Sequence, residues 1–222
     1  MINSFLTRSR VVDKGVLVAA PYVLAGQEKH ILAGLNDDFY ARGNLDPNLS
    51  VYGVYRDGGN YVDPASGELL GVRAQAIGSA KLKVMDKDVA TLGVTRSEEE
   101  IRAYDRLLPD EAREIDTTFQ PSAPPDGSDG LIVSVEGSVR VAGLLDVVAI
   151  NLGDRSGIKT GNMLAIYKKG EVVKDRVTGG HVQLPAERAG LLMVFRTFEK
   201  MSYGLILNAN RPLAVGDAVK SP

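Results

Sequence analysis

The sequence predicts a mainly β (β-rich α+β) protein: two related β-hairpin-rich, barrel-like subdomains from an internal duplication, with one short helix. Three observations predict it. Short runs of β-branched and aromatic residues are punctuated by Gly and Asp turns, the second half of the chain resembles the first at one constant offset, and helix signals are sparse.

The repeat comes first because it sets the domain organisation. At that offset Tyr55 falls on Tyr167, Gly58 on Gly170, Asp63 on Asp175, Gly67 on Gly179, Ala74 on Ala186 and Gly78 on Gly190. These six identities lie in 24 ungapped positions, and Asp105 on Asp217 extends the match. Conservative matches agree: Val54 with Ile166, Arg56 with Lys168, Ile101 with Leu213. Two copies are too few for a solenoid, so two similar domains, or one pseudo-symmetric domain, are expected. The organisation read from this is an N-terminal arm (1–14), a first β-rich repeat (15–115), a linker (116–130) and a second repeat (131–222). The linker carries Pro121, Pro124, Pro125 and two glycines and reads as too polar and Pro-rich to pack.

Each element has a local reason. The apolar run at 16–25 is 10 residues long and split by Pro21, so it reads as a buried strand or extended arm. A bilayer-spanning helix needs about 20 apolar residues. Basic Arg8, Arg10 and Lys14 mimic the start of a secretory signal, but Asp13 and Pro21 interrupt that pattern. Residues 51–56 and 163–168 read as equivalent strands. Asp57-Gly58-Gly59 and Lys169-Gly170 then supply turns, and a second turn follows at Asp63 and at Asp175, whose carboxylates can bond the backbone two residues on. Ser97-Glu98-Glu99-Glu100 fits a capping box, with Ile101, Tyr104 and Leu108 continuing one face, so the short helix is expected there. The run from Leu191 to Phe198 is apolar on both faces and reads as a strand covered on both sides, followed by a turn at Glu199-Lys200.

Several chemistries are excluded. There is no cysteine, so thiol nucleophiles, disulfides and Cys-ligated metals are absent. The two histidines, His30 and His181, have no metal-ligand spacing, and no metal or other cofactor is expected. A net charge of −2 gives no basic footprint for nucleic acid and no polybasic membrane patch. No nucleophile elbow or dinucleotide loop occurs. Gly153-Asp154-Arg155-Ser156-Gly157-Ile158-Lys159-Thr160 lacks the Lys directly after its second glycine that a phosphate loop requires, and reads as a turn before Met163. Carboxylate pairs such as Asp37-Asp38 read as solvated turns.

The block Leu184-Pro185-Ala186-Glu187-Arg188-Ala189-Gly190-Leu191-Leu192-Met193-Val194-Phe195-Arg196-Thr197-Phe198, with Ser202-Tyr203, carries a resemblance. So do Tyr40-Ala41-Arg42-Gly43, Tyr55-Arg56-Asp57-Gly58, Asp105-Arg106-Leu107-Leu108-Pro109 and Ala149-Ile150-Asn151-Leu152-Gly153. Over about residues 15–220 the chain resembles the C-terminal region of the LysM-containing type IV pilus secretin-associated proteins of Gram-negative bacteria. It is also similar to the C-terminal part of a flagellar basal-body ring protein. The resemblance implies a periplasmic, outer-membrane-associated, non-enzymatic protein whose partner is the outer-membrane secretin ring. In that family a LysM module holds peptidoglycan. Residues 1–14 contain no such module and no signal peptide, so peptidoglycan binding is not expected of these residues.

The expected function is therefore a structural binding module on a secretin ring. A flagellar-ring type of module is the alternative, and a carboxylate-based peptidoglycan or carbohydrate enzyme is the third. Interfaces favour aromatic and Arg residues, so Tyr55, Arg56, Tyr61, Tyr167, Arg188 and Arg196 are the candidate partner-binding residues. Arg196 has a plainer account, a stem lying on the sheet with its guanidinium reaching Glu187 or Glu199.

Overall fold

The computed structural model describes residues 9–110, 119–136 and 141–222. The chain divides into two units, Met1–Asn60 with Gly71–Ile115, and Tyr61–Leu70 with Asp116–Pro222. Among the described residues no helix is long and apolar enough to cross a membrane.

The first unit is built on β1 (Ser9–Val12), a one-turn helix α1 (Val16–Ala19), β2 (Tyr22–Gly26), β3 (Leu32–Ala33), β4 (Asp38–Arg42), β5 (Val51–Val62), β6 (Leu69–Asp86), β7 (Val89–Ser97), β8 (Ile101–Arg102) and β9 (Arg106–Pro109). Strands β6, β5, β9, β2, β4 and β7 follow one another as hydrogen-bonded neighbours, and β7 returns to β6, so the sheet closes into a ring with β1 outside β6. Closure needs alternate side chains to fill the interior. Phe39 and Ala41 of β4, Val54 of β5, Ile77 and Ala80 of β6, Leu92 of β7 and Leu107 of β9 do so, all buried in one core. Val12, Leu17, Val72, Ala74 and Leu108 form a second cluster on which Tyr55 packs.

The second unit carries β10 (Asp129–Val135), β11 (Val141–Ala142), β12 (Val147–Ile150), β13 (Met163–Lys168), β14 (Val172–Lys174), β15 (His181–Gln183), β16 (Glu187–Thr197), β17 (Ser202–Ala209), β18 (Leu213–Ala214) and β19 (Ala218–Lys220). Its six-stranded barrel is closed in the order β10, β12, β17, β16, β13, β19. Ile132, Val148, Ile150, Leu164, Ile166, Leu192, Val194, Ile206 and Val219 fill it.

The two closed sheets have the same neighbour order, with β13 in the place of β5. The match reaches single residues. In β6–β7 the register shifts between Ser79 and Ala80 and between Leu82 and Val84. In β16–β17 it shifts between Leu191 and Leu192 and between Val194 and Arg196, the same positions under the offset that carries Tyr55 onto Tyr167. A third bulge, between Val23 and Ala25 of β2, recurs at a slightly shorter offset between Ile132 and Ser134 of β10. The small pair β3–β8 recurs as β11–β18. Bulges re-aim a strand and are positional features of a fold, so their coincidence establishes the duplication.

Four sequence expectations are corrected. No helix follows Ser97: Glu98 N–H and Glu99 N–H both donate to Ile77 O, and Ile101–Arg102 is a strand. Ser97 pairs with Gly78 of β6 and its hydroxyl donates to Glu99 O, so it is not an acceptor for a helical first turn. The helix lies instead at Val16–Ala19, inside the run expected to be extended. Asp57-Gly58-Gly59 makes no chain reversal. It continues β5 as an irregularity, with Gly59 at φ +93° and its N–H on Asp57 Oδ1. Part of the expected linker packs: Asn162 Nδ2 donates to Ser122 Oγ and Ala123 O, Pro124 is buried, and Asp129–Val135 is strand. The turn before Met163 is as expected, with a 3-10 turn at Asp154–Ser156 and Gly157 at φ +74°.

Candidate partner-binding surfaces

The same two turns close one end of each unit. The first is Gly34 to Asp37, repeated as Gly143 to Asp146. Asp37 Oδ2 accepts from Gly34 N–H and Asp146 Oδ2 from Gly143 N–H, each at 2.8 Å. The second precedes β9 and β19. Asp105 Oδ2 accepts from Arg102 N–H at 3.0 Å, and Asp217 Oδ2 from Ala214 N–H at 2.8 Å. A basic residue pins each of these aspartates. Arg56 donates Nε to Asp105 Oδ1 and Nη2 to Asp105 Oδ2, both at 2.9 Å, and Nη1 to Glu99 at 2.8 Å. The hydrogen bonds to Asp105 raise the Arg56 pKa further above its usual value. Lys168 Nζ lies 3.1 Å from Asp217 Oδ2 and donates to Pro212 O.

These turns require a left-handed backbone residue at Asn36 (φ 70°) and Leu145 (φ 66°), and again at Tyr104 (φ 74°) and Gly216 (φ 91°). Asn and Gly tolerate that conformation, whereas a bulky side chain is strained there by about 1–2 kcal/mol. Each repeat therefore has one suited residue and one strained one. The strained ones are also in solvent: Tyr104 is 80% exposed and Leu145 57%. Around them lie exposed Ile31, Leu32 and Leu35 in the first unit, and Val141, Leu144 and Val215 in the second. In the second unit a shallow groove is lined by Val141, Leu144, Ala209, Asn210, Arg211 and Pro212. The first repeat has Glu98, Glu99 and Glu100 where the second has Asn210, Arg211 and Pro212, so the two ends differ in charge.

Of the six residues singled out from the sequence, five are buried or half-buried. Tyr61 is buried in the second unit, its hydroxyl 2.9 Å from Glu136 Oε1 and 2.8 Å from the Tyr203 hydroxyl. Arg56 is the structural pin just described. Tyr55 packs on the smaller cluster of the first unit, and Tyr167 is half-buried in β13. Arg196 lies over the Phe198 ring, 4.9 Å from its centroid, while Glu187 pairs with Arg211. Arg188 alone of the six is exposed. The strained tips were missed because their signal is conformational: an αL position is visible in sequence when Gly or Asn fills it, not when Leu or Tyr does.

Residues 61–70 carry the turn at Asp63. Its Oδ1 accepts from Ala65 N–H at 2.8 Å, and its Oδ2 accepts from Asn151 Nδ2 at 3.0 Å. Glu68 takes both Nη groups of Arg155 at 2.7 Å and Lys200 Nζ at 3.0 Å. Those donors hold its carboxyl at about 2, below the ordinary 4.5. Among the described residues no group of three or more His, Asp and Glu is gathered as a metal site. No protein-family model and no curated protein matches the chain.

Proposed function

We propose that this chain is a non-catalytic structural module that binds a protein assembly of the bacterial envelope through the apolar turns at the ends of its two barrels. The observation that carries the reading is the strained and exposed pair, Tyr104 and Leu145. Backbone strain persists where the surroundings impose it and concentrates at functional positions, and large apolar groups held in solvent mark contact surfaces. The partner in this reading is the outer-membrane secretin of the type IV pilus, in the periplasm, supported by the sequence resemblance described above. The test is affinity purification of the tagged chain from a native envelope. Recovery of a secretin supports the reading, recovery of flagellar basal-body rings replaces it with the flagellar type, and recovery of neither overturns it.

A further inference from the structure

We propose that the hairpin β14–β15 docks on the β4–β7 face of a second copy of this chain, joining copies head to tail. The repeat supplies the argument. Asp63 N–H bonds Glu68 O and Gly67 N–H bonds Asp63 O, and at the equivalent place in the second repeat Asp175 N–H bonds Gly180 O and Gly179 N–H bonds Asp175 O. The two hairpin ends are one structure made twice. Residues 61–70 lie against β12 and β17, with Tyr61 on Tyr203, Asp63 on Asn151 and Glu68 on Lys200. The second hairpin has no such cover: every residue of β14 and β15 is exposed, and Val177 at its end is 93% exposed.

The register of the closed sheets locates the face that repeats the covered one. Strand β4 stands where β12 stands and β7 where β17 does, so Arg42 takes the place of Asn151, Asp88 that of Lys200 and Thr91 that of Tyr203. Arg42 and Asp88 are exposed and pair with each other at 2.7 Å, beside exposed Val84, which pairs with Thr91 across β6–β7. The chemistry is complementary. Asp175 meets Arg42 where Asp63 meets Asn151, Lys174 and Arg176 flank Asp175 as Asp88 flanks Arg42, and Val84 offers Val177 an apolar contact. Hairpin and face lie on different parts of the chain, so the contact is heterologous and copies add on in a ring or an open filament. The proposal does not depend on which envelope partner the barrel ends bind.

The test uses the absence of cysteine. Chains carrying Asp175→Cys are mixed with chains carrying Arg42→Cys and treated with a short bismaleimide, with Asp126→Cys as the exposed control. A dimer from the first mixture well above the control is expected. In sedimentation equilibrium the mean mass should rise above 23.8 kDa with concentration. Arg42→Asp, which leaves the hairpin intact, should weaken association at least roughly tenfold, because like charges at a contact are strongly unfavourable. Asp175→Arg chains should restore it when mixed with Arg42→Asp chains. A mass fixed at 23.8 kDa with cross-linking no higher than the control overturns the proposal, as does association indifferent to Arg42→Asp.

Discussion

Arg56 grips the buried Asp105 with two parallel hydrogen bonds of 2.9 Å, and in the second repeat Lys168 and Asp217 form the same pair with a single ammonium. In both places the aspartate also accepts a backbone N–H three residues before it, so one carboxylate ties two strands and a turn. The difference lies in the cation. A guanidinium fork satisfies both carboxylate oxygens, and the Arg56 and Asp105 side chains are 19% and 2% exposed, against 30% and 12% for Lys168 and Asp217.

Asp105→Ala should therefore destabilise the first unit by about 3 kcal/mol, because the partly buried Arg56 Nε and the Arg102 N–H lose their acceptor. Among the described residues Arg56 then keeps only Glu99 as a carboxylate partner. Asp217→Ala should cost the second unit about 1 kcal/mol, since the better-hydrated Lys168 regains water. Urea unfolding followed by amide exchange, which reports the units separately, checks the order. An equal loss in both would refute it.

Tyr61 is a packing residue with a polar end. Tyr61→Phe removes the hydroxyl shared by Glu136 and Tyr203 and should cost about 1–2 kcal/mol. Tyr61→Ala also empties the edge-to-face site against Tyr203, with ring centroids 6.1 Å apart, and should cost about 3–5 kcal/mol. Thermal unfolding of both variants measures this, and an unchanged melting temperature for Tyr61→Ala would contradict the buried placement.

Acid should loosen the segment 61–70. The Glu68 carboxyl is held at about 2 in the folded chain against an ordinary 4.5, so it is depressed. Its contribution is complete above about pH 4.5 and is lost as the pH falls toward about 2. The group is about one-third exposed, so the effect is modest and is screened by salt. Glu68→Gln should show a shallower loss of stability across that window in an acid titration. A wild-type profile for the variant would remove Glu68 from the account.

Where the sequence was legible, backbone demands had selected a particular residue. Gly78 and Gly190 match because a Cβ at either would collide with a backbone oxygen, Arg96 O or Asn208 O, beside the bulges. Gly67 and Gly179 match because both sit at positive φ, and Asp63 and Asp175 because both close the same turn. The earlier strands were opaque. Phe39 and Val148 occupy one barrel position, but at the shorter offset of the β2 and β10 bulges, so the alignment of Tyr55 with Tyr167 misses them, and any apolar side chain serves there. The capping box failed for a related reason: Ser97 is paired with Gly78 across β6–β7 and its hydroxyl donates to Glu99 O, so long-range pairing overrides a local preference. Of the candidate site, Arg56 and Asp105 were visible as repeat matches, while Tyr104 and Leu145 carry no sequence mark.

Strain at those two positions gives the sharpest test of the functional reading. Leu145→Asn places a residue suited to φ 66° where Leu is strained, and Tyr104→Gly does the same at φ 74°. Asn36 and Gly216 already fill the equivalent places in the other repeat. Neither side chain belongs to a buried core, so each variant should stabilise its unit by up to about 1 kcal/mol. Both variants remove exposed apolar surface from the barrel ends, so secretin association should weaken roughly tenfold, as for loss of an aromatic or aliphatic anchor. Because the proposed secretin contact is apolar and the net charge is −2, secretin binding by the parent chain should vary little with salt. Melting curves and binding measured on the same samples separate the two effects. A variant that gains stability and loses binding marks the position as contact surface, and variants that bind as the parent does would take these turns out of the interface.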